Sequence, residues 1–122
     1  MAAKITLKNS YILVEPQKIE YWEIIEALGI LFRMPEYLEM NTIWDFPDGR
    51  IKGTYDQLYK LKDVIAEHFP KNSKPNHKTA IVVKTGLQDS MADSYTKIVG
   101  DLPFEAGVFS DLQSAEKWVV LK

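Results

Sequence analysis

The sequence contains no cysteine. That excludes disulfides, thiolate nucleophiles and the usual cysteine-bearing structural zinc sites. Histidine is nearly as scarce, with two residues, His68 and His77. One sits near the end of a helical pattern and the other in a polar stretch ahead of a strand pattern, a poor basis for a catalytic triad or a metal centre. No apolar run is long enough to cross a bilayer, and the longest, Ile24 to Phe32, is broken by Glu26. Met1 to Leu7 has neither a long apolar core nor a small-residue cleavage site, so no signal peptide is expected and the expected compartment is the cytoplasm. Charge of one sign is missing too. The 15 basic and 17 acidic residues are interspersed and leave a net charge of -2. There is no basic stripe for nucleic acid and no like-charge tail. G-x-S-x-G, Walker and G-x-G-x-x-G patterns are absent, and Gly49-x-x-x-Gly53 lacks the following Lys-Ser/Thr pair. No cofactor, no metal and no catalytic residue is expected.

What is present is enough apolar material for one core. Hydrophobic residues make up 46% of 122 positions and charged residues 26%, the balance of a single globular domain over residues 1–122. Ile5 and Leu7 alternate with polar neighbours, Lys8-Asn9-Ser10 reads as a turn, and Tyr11 to Val14 is a denser run stopped by Pro16. This is the pattern of an antiparallel hairpin. Lys18 to Arg33 reads as a helix with Trp22, Ile25, Leu28 or Gly29, and Phe32 on one face, widened by Tyr21, Ile24 and Leu31, and ended by Met34-Pro35. Thr42 to Phe46 is a strand followed by the turn Pro47-Asp48-Gly49. Thr54 to Phe69 is a helix with Leu58, Leu61, Val64, Ile65 and His68 at helical spacing. Lys78 to Val83 is a strand whose Ala80-Ile81-Val82-Val83 core predicts cover on both faces. Leu87 to Val99 is a helix with Met91, Tyr95, Ile98 and Val99 inward and Gly100 placed to cap it. Phe104 to Phe109 is the last strand, and Asp111 to Leu121 the last helix, with Leu112, Ala115, Trp118 and Val119 inward. The order β-β-α-β-α-β-α-β-α predicts an α/β fold whose mixed sheet is parallel except for its first strand.

Three strand ends are followed by Thr54-x-x-Gln57, Thr85-x-x-Gln88 and Ser110-x-x-Gln113. Each matches a capping box, in which a hydroxyl takes an orphan helix N–H and the glutamine reaches back. Their positions put three helix N-termini near the carboxyl ends of strands, where open α/β sheets bind ligands and helix dipoles favour anions. Asp45 and Asp48 flank one of these strand ends. Asp45, Asp48, Thr54, Thr85 and Ser110 are therefore the candidate anion or phospho-switch surface, although capping alone would also account for the hydroxyls. A second feature is the run from Phe32 to Met40. Phe32, Met34, Tyr37, Leu38 and Met40 are too apolar for a simple loop. They complete the core, line a pocket for an apolar ligand, or form a homodimer face.

The closing run Leu102-Pro103-Phe104-Glu105-Ala106-Gly107-Val108-Phe109-Ser110-Asp111-Leu112-Gln113-Ser114-Ala115-Glu116-Lys117-Trp118 resembles the end of the bacterial SpoIIAA-like family, also described as STAS/Sec14-type domains. Ile43-Trp44-Asp45-Phe46 and Thr79 to Val83 match that family's two middle strands in position. The resemblance implies a right-handed superhelix of β/α turns, with a sheet of about five strands, behind an N-terminal hairpin. It also implies a non-enzymatic regulatory or protein-interaction role. In relatives that antagonise anti-sigma factors, an Asp-Ser-Ser-Gly-like motif opens the helix after a middle strand and is phosphorylated. Here that place reads Gly53-Thr54-Tyr55-Asp56, which keeps a hydroxyl at Thr54 but not the motif. The Sec14-type relatives, which hold lipids in an apolar cleft, imply the alternative of a small carrier of an apolar or anionic ligand. The expected partner is a protein of unknown identity.

Overall fold

The computed structural model describes residues 4–16, 21–37, 40–46, 54–68, 77–83, 90–100 and 104–120. Five strands and four helices alternate after an opening hairpin: β1 Lys4–Leu7, β2 Tyr11–Glu15, α1 Tyr21–Arg33, β3 Asn41–Asp45, α2 Tyr55–His68, β4 His77–Val82, α3 Ser90–Ile98, β5 Phe104–Phe109 and α4 Leu112–Val120. The strands form one sheet in the order β1-β2-β3-β4-β5. β1 runs antiparallel to β2, with Lys4 beside Glu15 and Leu7 beside Ile12. The other three pairings are parallel. This is the mixed sheet expected, and Tyr11 to Val14, Thr42 to Asp45 and Ala80 to Val82 lie on its three interior strands.

Alternation along the strands sorts the side chains between two faces. Ile12, Val14, Trp44, Phe46, Ile81 and Val83 meet α1, α2 and α3 through Ile24, Ala27, Leu28, Leu31, Leu58, Leu61, Ile65, Tyr95 and Val99. Tyr11, Leu13, Ile43, Ala80 and Val82 meet α4 through Ala115 and Val119, with Phe109, Leu112 and Trp118 at the margin. Strands added in one direction by connections of one hand put every crossover helix on the same face. α4 follows the last strand, crosses to no further one, and covers the opposite face. The unbroken apolar run of β4 therefore has cover on both sides, as its composition requires.

Three local expectations are corrected. The inward stripe of α1 is Ile24, Ala27, Leu28 and Leu31 together with a fully buried Glu23, whereas Trp22 and Ile30 are exposed. Of the expected face only Trp22 turns outward, since Tyr21, Ile25 and Phe32 pack partly buried against the core. Gly100 donates to the Lys97 carbonyl at 3.3 Å, closing a last turn. It does so without the left-handed backbone of a glycine cap. The third lies at the start of α4, where Asp111 rather than Ser110 caps the helix.

Candidate functional site

The carboxyl ends of the parallel strands form one rim. Register places Asp45 beside Val82 and Val82 beside Phe109. Glu15, one residue beyond the Val14–Trp44 pair, ends β2 next to Asp45 at the end of β3. Both carboxylates are half-buried. Burial, and after it the negative charge of Glu15, pushes the Asp45 carboxyl above the usual carboxylate range.

Thr54 stands at the helix start that follows this strand. Its Oγ1 accepts from the Gln57 N–H at 3.2 Å, and the Gln57 Oε1 accepts from the Thr54 N–H at 3.0 Å. The reciprocal box expected from Thr54-x-x-Gln57 is formed. Both residues lie on the surface, so the Thr54 hydroxyl is within reach of solvent and of another protein. Ser110 is exposed immediately after β5 but does not cap α4. Asp111 does, its Oδ1 accepting from the Ser114 N–H at 2.7 Å and its Oδ2 from the Ser114 hydroxyl at 3.1 Å. These two bonds, the backbone one first, hold the Asp111 carboxyl below the usual range. A carboxylate one residue further on is the better N-cap, because it carries charge against the helix dipole as well as an acceptor. Asp48 and Thr85 lie outside the described residues. Asp45 thus ends β3 and Ser110 follows β5 at the carboxyl end of the sheet, while Thr54 immediately precedes α2.

The aromatic and methionine run has a different fate. Tyr37 is buried, and Phe32, Met34 and Met40 pack half-buried against the core beneath α1 to α3. Leu38 lies outside the described residues. A turn holds the run in place, with the Tyr37 N–H donating to the Met34 carbonyl at 3.1 Å and the Met40 N–H to the Glu36 carbonyl at 2.9 Å. The Tyr37 ring meets Phe32 edge-on at 5.6 Å and His77 at 5.3 Å. Core completion is therefore the main role of these side chains.

Tyr37 also borders a cavity of about 40 Å³ between the three-helix layer and the sheet, walled mainly by Ile24, Leu28, Trp44, Phe46, Leu58, Leu61, Ile65 and Ile81, with Thr79 and Tyr95 completing the lining. Burial pushes the Tyr95 hydroxyl well above the ordinary phenol range, and burial followed by the nearby Tyr95 does the same for Tyr37. At the amino ends of the strands, His77 is buried and its imidazole is pushed down to about 4 by that burial, with the Met40 backbone acting against the shift. Thr42, in register with Thr79, is fully buried, and its Oγ1 has no hydrogen-bond partner among the described residues. Sequence reasoning passed over Thr42 and Thr79, and placed His77 in the polar stretch ahead of the strand, whereas it is the first residue of β4 and buried. The available signal was a polar residue at an inward position of a strand otherwise covered on both faces.

Among the described residues, no group of three or more His, Asp or Glu side chains is placed to hold a metal ion. No described helix is long and apolar enough to cross a membrane. Compared with known proteins, the chain matches no family model, no curated protein and no solved structure.

Proposed function

We propose that this protein is a non-enzymatic regulatory or protein-interaction module of the SpoIIAA-like type, acting through the carboxyl-end rim of its sheet. The observation that carries the proposal is the exposed Thr54 hydroxyl, held by a closed capping box at the N-terminus of α2, the helix that follows the strand ended by Asp45. A phosphate on Thr54 adds about −1.5 to −2 charges where the α2 dipole favours them and the Asp45 carboxylate opposes them. The surface that a partner meets changes without any repacking of the core. The test is mass spectrometry of protein from its own source, together with partner binding by Thr54→Ala, Thr54→Ser and Thr54→Glu at matched folded fractions. A phosphate on Thr54, and binding that differs between the alanine and glutamate variants, are expected. Unmodified native protein with equal binding by all three variants overturns the proposal.

The cavity favours a second reading, a carrier of a small ligand. Its wall is largely apolar with a few hydroxyl-bearing side chains, the usual chemistry of small-molecule sites.

A further inference from the structure

We infer that the cavity between the α1–α3 layer and the sheet takes a small neutral molecule, a short alcohol or ketone, with its apolar body against Leu58, Leu61 and Ile65 and its polar atom at Thr79. This deepens the small-ligand reading and rests on it. Three observations converge. The first is size. A water needs about 10–15 Å³ of such space, so a cavity of about 40 Å³ suits a molecule of roughly four non-hydrogen atoms and is too small to enclose a lipid chain. The second is polarity. Thr79 is the one aliphatic hydroxyl among the described residues lining the cavity, and it stands on the sheet face. A hydroxyl there can pair with the polar atom of an entering molecule. The third is charge. No Asp, Glu, Lys or Arg lines the cavity among the described residues. The same burial that holds the Tyr37 and Tyr95 hydroxyls protonated penalises a carboxylate entering beside them.

The experiment is an NMR titration of the intact chain with 1-propanol, propionate and xenon. Saturable shifts at Tyr37, Thr79 and Tyr95 are expected for 1-propanol and xenon, with propionate at least tenfold weaker than 1-propanol. Thr79→Val keeps the shape and removes the hydroxyl, so it should weaken 1-propanol about fivefold to tenfold and leave xenon unchanged. Leu61→Phe should fill the space and abolish both; should that variant not fold, Thr79→Val and the propionate comparison still decide. Propionate binding as tightly as 1-propanol, or 1-propanol indifferent to Thr79→Val, overturns this inference and leaves the small-ligand reading standing. Absence of saturable binding by any of the three probes overturns both.

Discussion

Thr54 and His77 are single side chains whose roles differ with burial. Thr54 is exposed and forms two hydrogen bonds of its capping box with Gln57. Thr54→Ala should cost about 0.5–2 kcal/mol in chemical denaturation, whereas Thr54→Ser, which keeps the acceptor and ranks above threonine at an N-cap, should cost nothing measurable. A larger loss would mean that the hydroxyl supports more than the cap. His77 is buried with its imidazole held neutral, at about 4 against an ordinary 6.5. The unfolded chain therefore binds the proton first as pH falls. The His77 contribution is fully present above pH 6.5 and is lost between 6.5 and 4. The loss should total about 3 kcal/mol, at 1.36 kcal/mol for each unit of pKa. Asp45, raised above the usual carboxylate range, acts in the opposite sense at the acid end of that window. Urea denaturation of the native protein and of His77→Phe across pH 4–7 separates the two. The variant should lose most of the slope, and an unchanged slope would place the acid sensitivity elsewhere.

At the scale of elements, α4 shows how a helix end is held from outside. The carbonyls of its last turn have no partners within the helix. Asn41 Nδ2 donates to the Val119 carbonyl at 2.5 Å, and Lys78 Nζ donates to the Trp118 carbonyl at 3.0 Å. The Asn41 Oδ1 in turn accepts from the Lys78 N–H at 2.8 Å, which ties the start of β3 to β4 and to α4 at once. One turn earlier, the Tyr11 hydroxyl donates to Glu116 Oε2 at 2.5 Å. Burial, then this bond and the charge on Glu116, push Tyr11 up to about 12. Lys78 also lies 5.3 Å from the Trp118 ring, adding a cation–π contact to its hydrogen bond. Asn41→Ala removes a donor and an acceptor together and should cost about 1–3 kcal/mol. Asn41→Asp keeps the acceptor toward Lys78 but sets a carboxylate against the Val119 carbonyl, so it should recover little. Amide hydrogen exchange in the last turn of α4 checks this. Protection there should fall in Asn41→Ala while protection in α2 is unchanged.

Across the whole molecule the two faces of the sheet are built differently. Against α4 the contact residues include Ala80 and Ala115, both fully buried, so helix and sheet approach closely. Against α1, α2 and α3 the bulky Trp44, Phe46, Tyr37 and Tyr95 stand between helices and sheet, and the cavity lies among them. Substitutions should therefore act asymmetrically. Ala115→Leu has no space to enter and should cost about 1–3 kcal/mol by lifting α4. Leu61→Ala, which enlarges an existing void, should cost about 2–5 kcal/mol. Thermal denaturation of the two variants, read with near-ultraviolet circular dichroism of the aromatic layer, tests the asymmetry. Ala115→Leu should leave the Trp44 and Tyr95 environment intact and Leu61→Ala should not. An Ala115→Leu variant as stable as the native chain would show that α4 does not pack on the sheet through Ala115.

Local patterns along the chain determined the element order and the hairpin through periodicity and turn residues, the parallel interior strands through the order of strands and helices, and the two-sided cover of Ala80 to Val83 through an unbroken apolar run. The Thr54 box was equally legible, since it closes within four residues. What the tertiary structure decided was phase and company. The apolar residues of α1 are spread too widely for spacing to choose the inward stripe, and packing on the sheet selected Ile24, Ala27, Leu28 and Leu31 and left Trp22 exposed. At α4 the sequence offered Ser110 as the cap, and the folded chain caps the helix one residue later, at Asp111. Of the cavity, only Tyr37 lay in the run read as able to line a pocket. The cavity walls come from segments as far apart as Ile24 and Tyr95, and a void arises from how large side chains fail to fill the space between layers, which no local pattern records.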